Sequence, residues 1–349
     1  MSSQHEDITE LSELLDAFLI LKLGDSDSVS GGLRRLQGGF DTDTFAFDVQ
    51  KVPPGFPDKL VLRLFRSSGE SSRVVVESTV QNTVHAAGHP APRVPIDSGR
   101  HSLIGRPFLV MERLEGSTLA SGLEEQSLFQ KLPGLVANLQ VGIHETDSAE
   151  LRTRLVDAGV DIQGMTPESM LDRVSKLAEA SGVAELTAIR QWLTERWPTQ
   201  PVDPVVCHGD FHPANILVAD GQVTGLIDWG NVMFTHPEYD VAISHMIMSI
   251  GPIDLDGNLP PREDLREAVE WAMAEYLAAY RTHRPLDDDL LEYYGALRAA
   301  HAYARVISAN RGVDLPYTAH DAYAWRHPVL FAVIRNILEK TTGVAIGPA

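Results

Sequence analysis

The sequence predicts an α+β protein with a small strand-rich domain over residues 1–115 and a larger, mostly helical domain over residues 116–349. Two patterns indicate this division. From residue 33 to residue 65 the hydrophobic residues form short alternating runs, as they do in strands. Beyond Gly116 they recur at intervals of three and four residues, as they do on one face of a helix. A third pattern, short strands and tight loops over residues 205–230, interrupts the helical part.

Composition limits the class of protein. With 349 residues, 44% of them hydrophobic, the chain can bury a substantial core. Cys207 is the only cysteine, so no internal disulfide can form and a reducing, cytoplasmic location is expected. The apolar run over residues 14–23 is too short for a bilayer, and the first residues lack the pattern of a signal peptide. We therefore expect no membrane partner.

The net charge is −19, from 29 basic and 48 acidic residues. Such an acidic chain is a poor partner for nucleic acid or for an anionic membrane surface. It is compatible with a cationic substrate, but acidic residues that merely keep a protein soluble give the same balance. The charge therefore argues against nucleic acid as the main partner and does not identify a substrate.

The first domain begins with a helix, predicted over residues 9–23 from the spacing of its apolar residues. A glycine pair, Gly38 and Gly39, then separates two strand-like runs. The strand predicted over residues 59–65 places its three leucines on one face and Arg63 on the other, because successive side chains of a strand alternate.

The next element is a helix over residues 73–87, in which three valines recur at intervals of four. Glu77 lies on the side of these valines, so it is expected to be buried and to need a cationic partner. Arg63 on the preceding strand is the candidate. The alternative is an ion pair at the surface, which would stabilise the fold little. A strand over residues 107–111 completes the domain, and residues 112–116 lead into the next one.

The second domain is predicted to be a series of helices. One amphipathic helix is marked by apolar residues spaced by three and four at Phe129, Leu132, Val136, Leu139 and Ile143. Further helical patterns cover residues 167–181, 184–197, 238–250, 263–283, 286–310 and 328–341.

Acidic residues precede two of these helices, at Asp254, Asp256 and residues 287–289. They are interpreted as a cation-binding surface or as helix caps, and capping is preferred, since acids at helix N-termini usually serve that purpose.

The segment over residues 205–230 carries the candidate chemistry. Its Asp-Gly pair predicts a hairpin, which returns Asp228 toward the loop that holds Asp210 and Asn215. Phosphoryl transfer mainly needs positioned groups and neutralised charge. Asp210 is suited to orient a hydroxyl and accept its proton, and the oxygens of Asn215 and Asp228 are ligands of the kind Mg²⁺ prefers. The interval of five between Asp210 and Asn215 is that of the protein-kinase catalytic loop.

Two other interpretations of this loop stay open at this point. His208, Asp210 and His212 alternate and could face one way as ligands of Zn²⁺ or Fe²⁺, which would make the protein a metal-dependent hydrolase. Alternatively, the polar residues of the loop only bond local backbone.

The run His208-Gly209-Asp210-Phe211-His212-Pro213-Ala214-Asn215 followed by Ile227-Asp228-Trp229 resembles the signature of the aminoglycoside phosphotransferase-like kinase family. The resemblance implies a bilobal protein-kinase-like fold. It also implies Asp210 as the catalytic base, Asn215 and Asp228 as Mg²⁺ ligands, and His208 and Asp240 as structural supports of the loop.

Weaker matches precede this run in the order that the family has. The resemblance implies that Gly38 and Gly39 form a nucleotide-phosphate loop and that Arg63, held by Glu77, contacts the phosphates of ATP. The family commonly has lysine where this chain has Arg63, so the chain is a variant at this position. The resemblance further implies that adenine is contacted by residues of the strand end, with Met111 behind the base and the backbone of Glu112 and Leu114 at its edge.

The expected function is therefore an ATP- and Mg²⁺-dependent phosphotransferase that acts on a hydroxyl of a small molecule. The acceptor would be an antibiotic of the aminoglycoside or macrolide type, or a metabolic alcohol or sugar. The alternatives are a nucleotide-binding pseudokinase and the histidine-based hydrolase.

Overall fold

A computed structural model describes residues 2–36, 42–66, 70–99, 104–123, 125–250, 265–313 and 325–347, with backbone only for residues 2–7. The chain forms two compact units. The first unit comprises Met1–Glu115, Thr153–Val160 and Thr224–Gly230, and the second comprises Gly116–Arg152, Asp161–Val223 and Asn231–Ala349. Gly38, Gly39, Asp254 and Asp256 lie outside the described residues.

The first unit is built on an antiparallel sheet of five strands in the order β1-β2-β3-β5-β4. Its elements are α1 (Ser2–Leu23), β1 (Ser30–Arg35), β2 (Thr42–Val49), β3 (Lys59–Phe65), α2 (Ser71–Ala86), β4 (Ile96–Asp97) and β5 (Phe108–Glu112). β3 lies at the centre, paired with β2 on one side and with β5 on the other.

The two faces of β3 bury different clusters, as its alternation predicts. Leu60, Leu62 and Leu64 pack with Phe18 of α1 in one hydrophobic cluster. The opposite face contributes to a second cluster that includes Val74 of α2. Arg63 lies on this second face, which confirms its predicted orientation and places a guanidinium beside α2.

The second unit is mostly helical. Its helices are α3 (Gln126–His144), α5 (Pro167–Ser181), α6 (Ala184–Glu195), α7 (Pro237–Met248), α8 (Arg266–Arg281), α9 (Asp288–Asn310) and α10 (Pro328–Thr342), while α4 (Ser148–Asp157) lies across the boundary between the units. A large apolar cluster joins α5, α6, α7, α9 and α10, and most of α9 is buried within it.

Short strands carry the loops of interest. β7 (Val205–Cys207) pairs with β10 (Met233–Thr235), and β6 (Ser117–Thr118) pairs with β8 (Ile216–Ala219). β8 and β9 (Gln222–Leu226) are joined by Asp220 and Gly221, whose φ angles of 49° and 72° are those that a tight hairpin turn requires. The predicted hairpin is confirmed.

The predicted helices agree with the structure to within a few residues, except that α1 begins at Ser2, seven residues before its predicted start, whereas β4, β6, β10 and α4 were not predicted. Strands of two or three residues are too short to show alternation. α4 has few apolar residues, so its helical spacing is weak. Asp287 caps α9 by accepting from the backbone N–H groups of Asp289 and Leu290, as expected. Among the described residues, no helix has the length and apolarity needed to span a bilayer.

Candidate functional site

An ion pair between Arg63 on β3 and Glu77 on α2 lies in the first unit. Arg63 Nη1 donates to Glu77 Oε2 at 2.7 Å, and the exposed fractions of the two side chains are 8% and 0%. Arg73, one helical turn before Glu77, brings its Nη2 to 3.7 Å from Glu77 Oε1. The pair is buried rather than superficial, so the acid on the valine side of α2 has the partner that its burial requires.

Asp228 also belongs to this group. Arg63 Nη2 lies 3.3 Å from Asp228 Oδ1, so one guanidinium bridges two carboxylates. The φ of Asp228 is 68°, a left-handed conformation that costs free energy in a residue other than glycine. Trp229 fixes the turn, because it is buried and its indole N–H donates to the Leu226 carbonyl at 2.9 Å. Strain held in this way at an acidic residue is typical of functional sites.

Gly230 allows Glu77 to approach. A Cβ on Gly230 would lie 2.9 Å from Glu77 Oε1 and 3.0 Å from Arg73 Nη2. Any side chain here would press on the ion pair, so the glycine after Trp229 is needed for the packing of this cluster.

The loop between β7 and β8 holds Asp210 and Asn215 together in the second unit. Asn215 Nδ2 donates to the Asp210 carbonyl oxygen at 2.8 Å and lies 3.4 Å from Asp210 Oδ2. With its amide nitrogen held on this side, Asn215 turns its Oδ1 the other way. The backbone at residues 213–215 forms a turn of 3₁₀ helix that starts from His212, whose Nδ1 accepts from the Ala214 N–H.

Asp210 is about a quarter exposed. Burial acts to raise its pKa, but electrostatic interactions with the nearby His212, Arg298 and His208 and a hydrogen bond with His212 lower it further than burial raises it, so the pKa lies below its ordinary value. Asp210 is therefore ionised throughout the neutral range, and its carboxylate is available as a hydrogen-bond acceptor.

Asp240 on α7 braces the start of the loop from below. Its Oδ1 accepts from the Gly209 N–H at 2.7 Å and its Oδ2 accepts from the His208 N–H at 3.1 Å. Gly209 has a φ of 78°, and an added Cβ would lie 2.0 Å from the Asn231 carbonyl oxygen. His208 is fully buried, and its Nδ1 accepts from the Asp210 N–H at 3.3 Å. These contacts give His208 and Asp240 supporting positions.

A buried polar network, which was not predicted from the sequence, continues from Asp240 into α3 and α8. Asp240 Oδ2 also accepts from Gln140 Nε2 and His144 Nε2, each at 3.2 Å. Tyr280 Oη lies 2.6 Å from His144 Nδ1, and the Tyr276 hydroxyl donates to Gln140 Oε1. Gln140 and His144 are about 100 positions from Asp240 in the sequence, and the two tyrosines reach them from a third helix, so only the tertiary structure shows that these residues meet.

The network also sets the charge of Asp240. Burial acts to raise its pKa, but hydrogen bonding to His144, electrostatic interactions with His144 and His208, and the Gly209 N–H lower it further, so the carboxyl stays ionised in the core. An ionised acceptor makes stronger hydrogen bonds than a neutral one, which favours one fixed backbone path at residues 208–209.

The predicted adenine contacts lie at the end of β5 in the first unit. Met111 is buried in the cluster on the α2 face of the sheet. The Glu112 N–H donates to the Arg93 carbonyl at 2.8 Å. The backbone atom of Glu112 that could contact adenine is therefore its carbonyl oxygen. Leu114 is partly exposed. The roles of these residues stay predictions.

The interpretation of the loop as a histidine metal site gains no support. In the part of the chain that the structure describes, no group of three or more His, Cys, Asp or Glu side chains is arranged to hold a metal ion. His208 Nδ1 accepts a hydrogen bond from the Asp210 N–H, and His212 Nδ1 accepts one from the Ala214 N–H, so neither nitrogen is available to a metal ion. Cys207 is fully buried, and burial raises the pKa of its thiol, so it is a core residue rather than a nucleophile.

Comparison with known proteins extends the resemblance. The model of the phosphotransferase enzyme family matches residues 32–286. The chain is 29% identical over 254 residues to the aminoglycoside 3'-phosphotransferase of Streptomyces fradiae, spanning 71% of this chain and 83% of the relative. It is also 26% identical over 205 residues to acyl-CoA dehydrogenase family member 11 of Rattus norvegicus, spanning 56% of this chain and 24% of that protein, so it corresponds to about a quarter of that relative.

Solved structures confirm the expected fold. A putative aminoglycoside phosphotransferase from Ralstonia eutropha JMP134 has a TM-score of 0.64 at 17% identity, covering 94% of this chain and 98% of its own. A mutant aminoglycoside phosphotransferase solved as a ternary complex with ADP and hygromycin B has a TM-score of 0.61 at 18% identity, covering 95% of this chain and 99% of its own.

Proposed function

The chain belongs to the phosphotransferase enzyme family, and from this membership we propose that it transfers the γ-phosphoryl group of ATP to a hydroxyl of a small molecule. The observation that supports the proposal most is the loop in which Asn215 is bonded to the Asp210 carbonyl while Asp240 holds residues 208 and 209. This loop is built to keep one ionised carboxylate and one amide oxygen in fixed positions.

The residues present suit Mg²⁺. Asn215 offers a neutral amide oxygen, since its Nδ2 is held by Asp210. Asp228 offers a carboxylate that is 37% exposed on a strained backbone. Both are hard oxygen donors of the kind that Mg²⁺ prefers. When bound, Mg²⁺ would neutralise charge on the phosphates of ATP.

Asp210 acts on the acceptor. Its carboxylate accepts a hydrogen bond from the acceptor hydroxyl and takes the proton as that oxygen bonds to the γ-phosphorus. The bond from the γ-phosphorus to the bridging oxygen breaks, and its electron pair leaves with ADP. Because the pKa of Asp210 is low, the carboxylate orients the hydroxyl and takes the proton late, which fits the loose transition state of this reaction.

Arg63 would act on ATP. Its guanidinium is held by Glu77 and Asp228 and is planar, so it can meet two phosphate oxygens at once. It makes the ionic contact with Glu77 that lysine makes in kinases, and so its presence does not favour a pseudokinase.

The acceptor class follows from the relatives only in outline. Relatives include an aminoglycoside 3'-phosphotransferase and a fold neighbour bound to hygromycin B, and other fold neighbours include a macrolide 2'-phosphotransferase and an enzyme bound to GDP and kanamycin. We propose a small-molecule alcohol as the acceptor and a nucleoside triphosphate as the donor.

Phosphorus NMR of the purified protein with ATP, Mg²⁺ and a panel of acceptors tests the proposal. A new phosphate-monoester signal that grows together with ADP, and only when an acceptor is present, is the expected result. Binding of ATP with no monoester from any acceptor would indicate a pseudokinase. Release of inorganic phosphate in place of a monoester would indicate hydrolysis.

A further inference from the structure

A stripe of basic side chains runs along α9 in the second unit. Arg298, His301 and Arg305 are three and four residues apart, so they share one face of the helix. His301 and Arg305 are only 4% and 5% exposed, and Arg298 is half-buried. A helix face buried in a core is normally apolar, so three basic residues in succession call for a physical reason.

Two of these residues have buried nitrogen atoms without a hydrogen-bond partner. Both ring nitrogens of His301 and the Nε of Arg298 are buried and make no hydrogen bond within the described residues. A polar atom that is buried without a partner costs free energy, and a cationic one costs more. Such groups are rare in native proteins, and each calls for a functional or structural explanation, of which a bound ion is one.

A second helix adds to the positive charge. α5 packs against α9, and the half-buried Arg173 of α5 acts on His301 together with Arg298 and Arg305. Burial and these three positive charges hold the pKa of His301 well below its ordinary value. In the part of the chain that is described, the charges that act on His301 are all cationic, although the chain as a whole carries a net charge of −19.

The stripe lies on the helix that packs against α7, which supports the catalytic loop. The ring of Tyr239 on α7 lies 5.6 Å from the ring of Tyr294, one turn before Arg298 on α9, and the neighbouring Asp240 accepts from the Gly209 N–H of the loop. A ligand held by Arg298 would therefore lie on the side of the second unit where Asp210 acts.

We propose that Arg298, with His301 and Arg173, binds an oxyanion on the acceptor, a carboxylate or a phosphate, and so selects an anionic hydroxyl compound over neutral or polycationic ones. This inference rests on the proposed phosphoryl transfer. It assigns the acceptor's anionic group to arginine, because the paired N–H donors of a guanidinium can meet two oxygens of a carboxylate or a phosphate at once.

Thermal unfolding in phosphate and in acetate, against KCl at the same ionic strength, tests the anion site without any turnover. The wild type is compared with Arg298→Met, Arg298→Lys and the control Arg266→Met, which removes an exposed arginine of α8. Arg63→Met is included because it removes the arginine of the first unit that is expected to bind phosphate. Phosphate tests for a phosphoryl group on the acceptor, and acetate tests for a carboxylate.

The expected result is a saturable rise in melting temperature with one of the two anions in the wild type, Arg63→Met and Arg266→Met. The rise should be lost in Arg298→Met. If that variant does not fold, Arg298→Lys should need an anion concentration at least about tenfold higher for the same rise in melting temperature. Lysine keeps the charge but loses the paired hydrogen bonds of the guanidinium. No saturable rise, or the same rise at the same anion concentration in the Arg298 variants, would overturn the inference.

Transfer assays with matched acceptors test the selection itself. Glycerate and glycerol 3-phosphate are compared with glycerol and kanamycin. We expect kcat/KM for one of the charged pair to exceed that for glycerol at least about tenfold, and Arg298→Met to remove the difference. Preference for glycerol or kanamycin would overturn the inference while leaving phosphoryl transfer in place. If no acceptor is phosphorylated, the proposed function fails in this panel, and the anion measurement alone decides whether the site exists.

Discussion

At the scale of single residues, Arg63 stands where the resemblance to the family leads us to expect a lysine. One guanidinium meets both Glu77 and Asp228, which a single lysine ammonium could not do with the same planar geometry. The substitution is therefore accommodated by the ionic contacts of the first unit. It also makes the stability of that unit depend on the buried pair.

Replacing Arg63 by Met should lower the free energy of unfolding by about 3 kcal/mol, because Glu77 would stay buried and lose the cation that contacts it at 2.7 Å. The double variant Arg63→Met with Glu77→Gln should recover part of this loss. Arg93→Met removes an exposed partner of Glu112 and should cost less than about 1 kcal/mol. Urea unfolding measures all three, and equal costs for Arg63→Met and Arg93→Met would contradict a buried role.

His301 should make the fold sensitive to acid. Burial and the nearby arginines keep its pKa low in the folded state, so folded His301 stays neutral while the unfolded chain binds a proton below about pH 6.5. Stability linked to His301 is therefore present above that pH and is lost as the pH falls.

Urea unfolding at pH 7.5 and 5.5 in chloride buffer should show the wild type losing about 1.4 kcal/mol more than His301→Gln between these conditions. Equal losses in the two proteins would show that folded His301 takes up a proton as readily as the unfolded chain does.

At the scale of elements, the loop between β7 and β8 is held by its backbone as much as by side chains. Gly209 combines a left-handed φ with close packing against Asn231, and Asp240 accepts from two successive N–H groups. Most of the regular elements could be predicted, because long strands and helices show their spacing. The side chains that support Asp240 could not be predicted, because Gln140 and His144 reach it from a helix distant in sequence and are themselves bonded by Tyr276 and Tyr280 of another helix.

Gly209→Ala should destabilise the protein by at least about 2 kcal/mol more than Gly221→Ala. Both positions have positive φ, so both substitutions carry the left-handed cost of about 1–2 kcal/mol. Only at Gly209 would the new Cβ meet backbone, since Gly221 has open space around it. Thermal and urea unfolding of the two variants give the comparison, and similar losses would show that the packing at Gly209 relaxes easily.

Asp240→Asn should lower the free energy of unfolding by about 3 kcal/mol. The side-chain NH2 of asparagine would face an N–H donor whose hydrogen bond Asp240 now accepts, so that donor would be left without an acceptor. Asp161→Asn is the matched control. It changes an exposed aspartate that caps the turn at residues 162–164, and asparagine caps nearly as well. Chemical denaturation distinguishes the two, and an Asp240→Asn protein as stable as the control would remove Asp240 from its supporting role.

At the scale of the whole molecule, family and fold could be predicted, since the signature from His208 to Trp229 and the order of the upstream elements extend over most of the matched residues 32–286. The anionic acceptor that we propose could not be predicted from the sequence. Arg173 and Arg298 lie on different helices, and each reads in the sequence as an ordinary surface charge. Net charge was no guide to the acceptor, because a cationic stripe lies within an acidic chain.

The central claim is that Asp210 carries out phosphoryl transfer. The most direct test is acceptor-dependent ADP release by wild type, Asp210→Asn and the control Asp161→Asn, with ATP affinity measured on the same proteins. We expect Asp210→Asn to lose about 10²- to 10⁴-fold in kcat with unchanged ATP affinity, and Asp161→Asn to match the wild type. Full turnover by Asp210→Asn with an acceptor that the wild type phosphorylates would contradict the account.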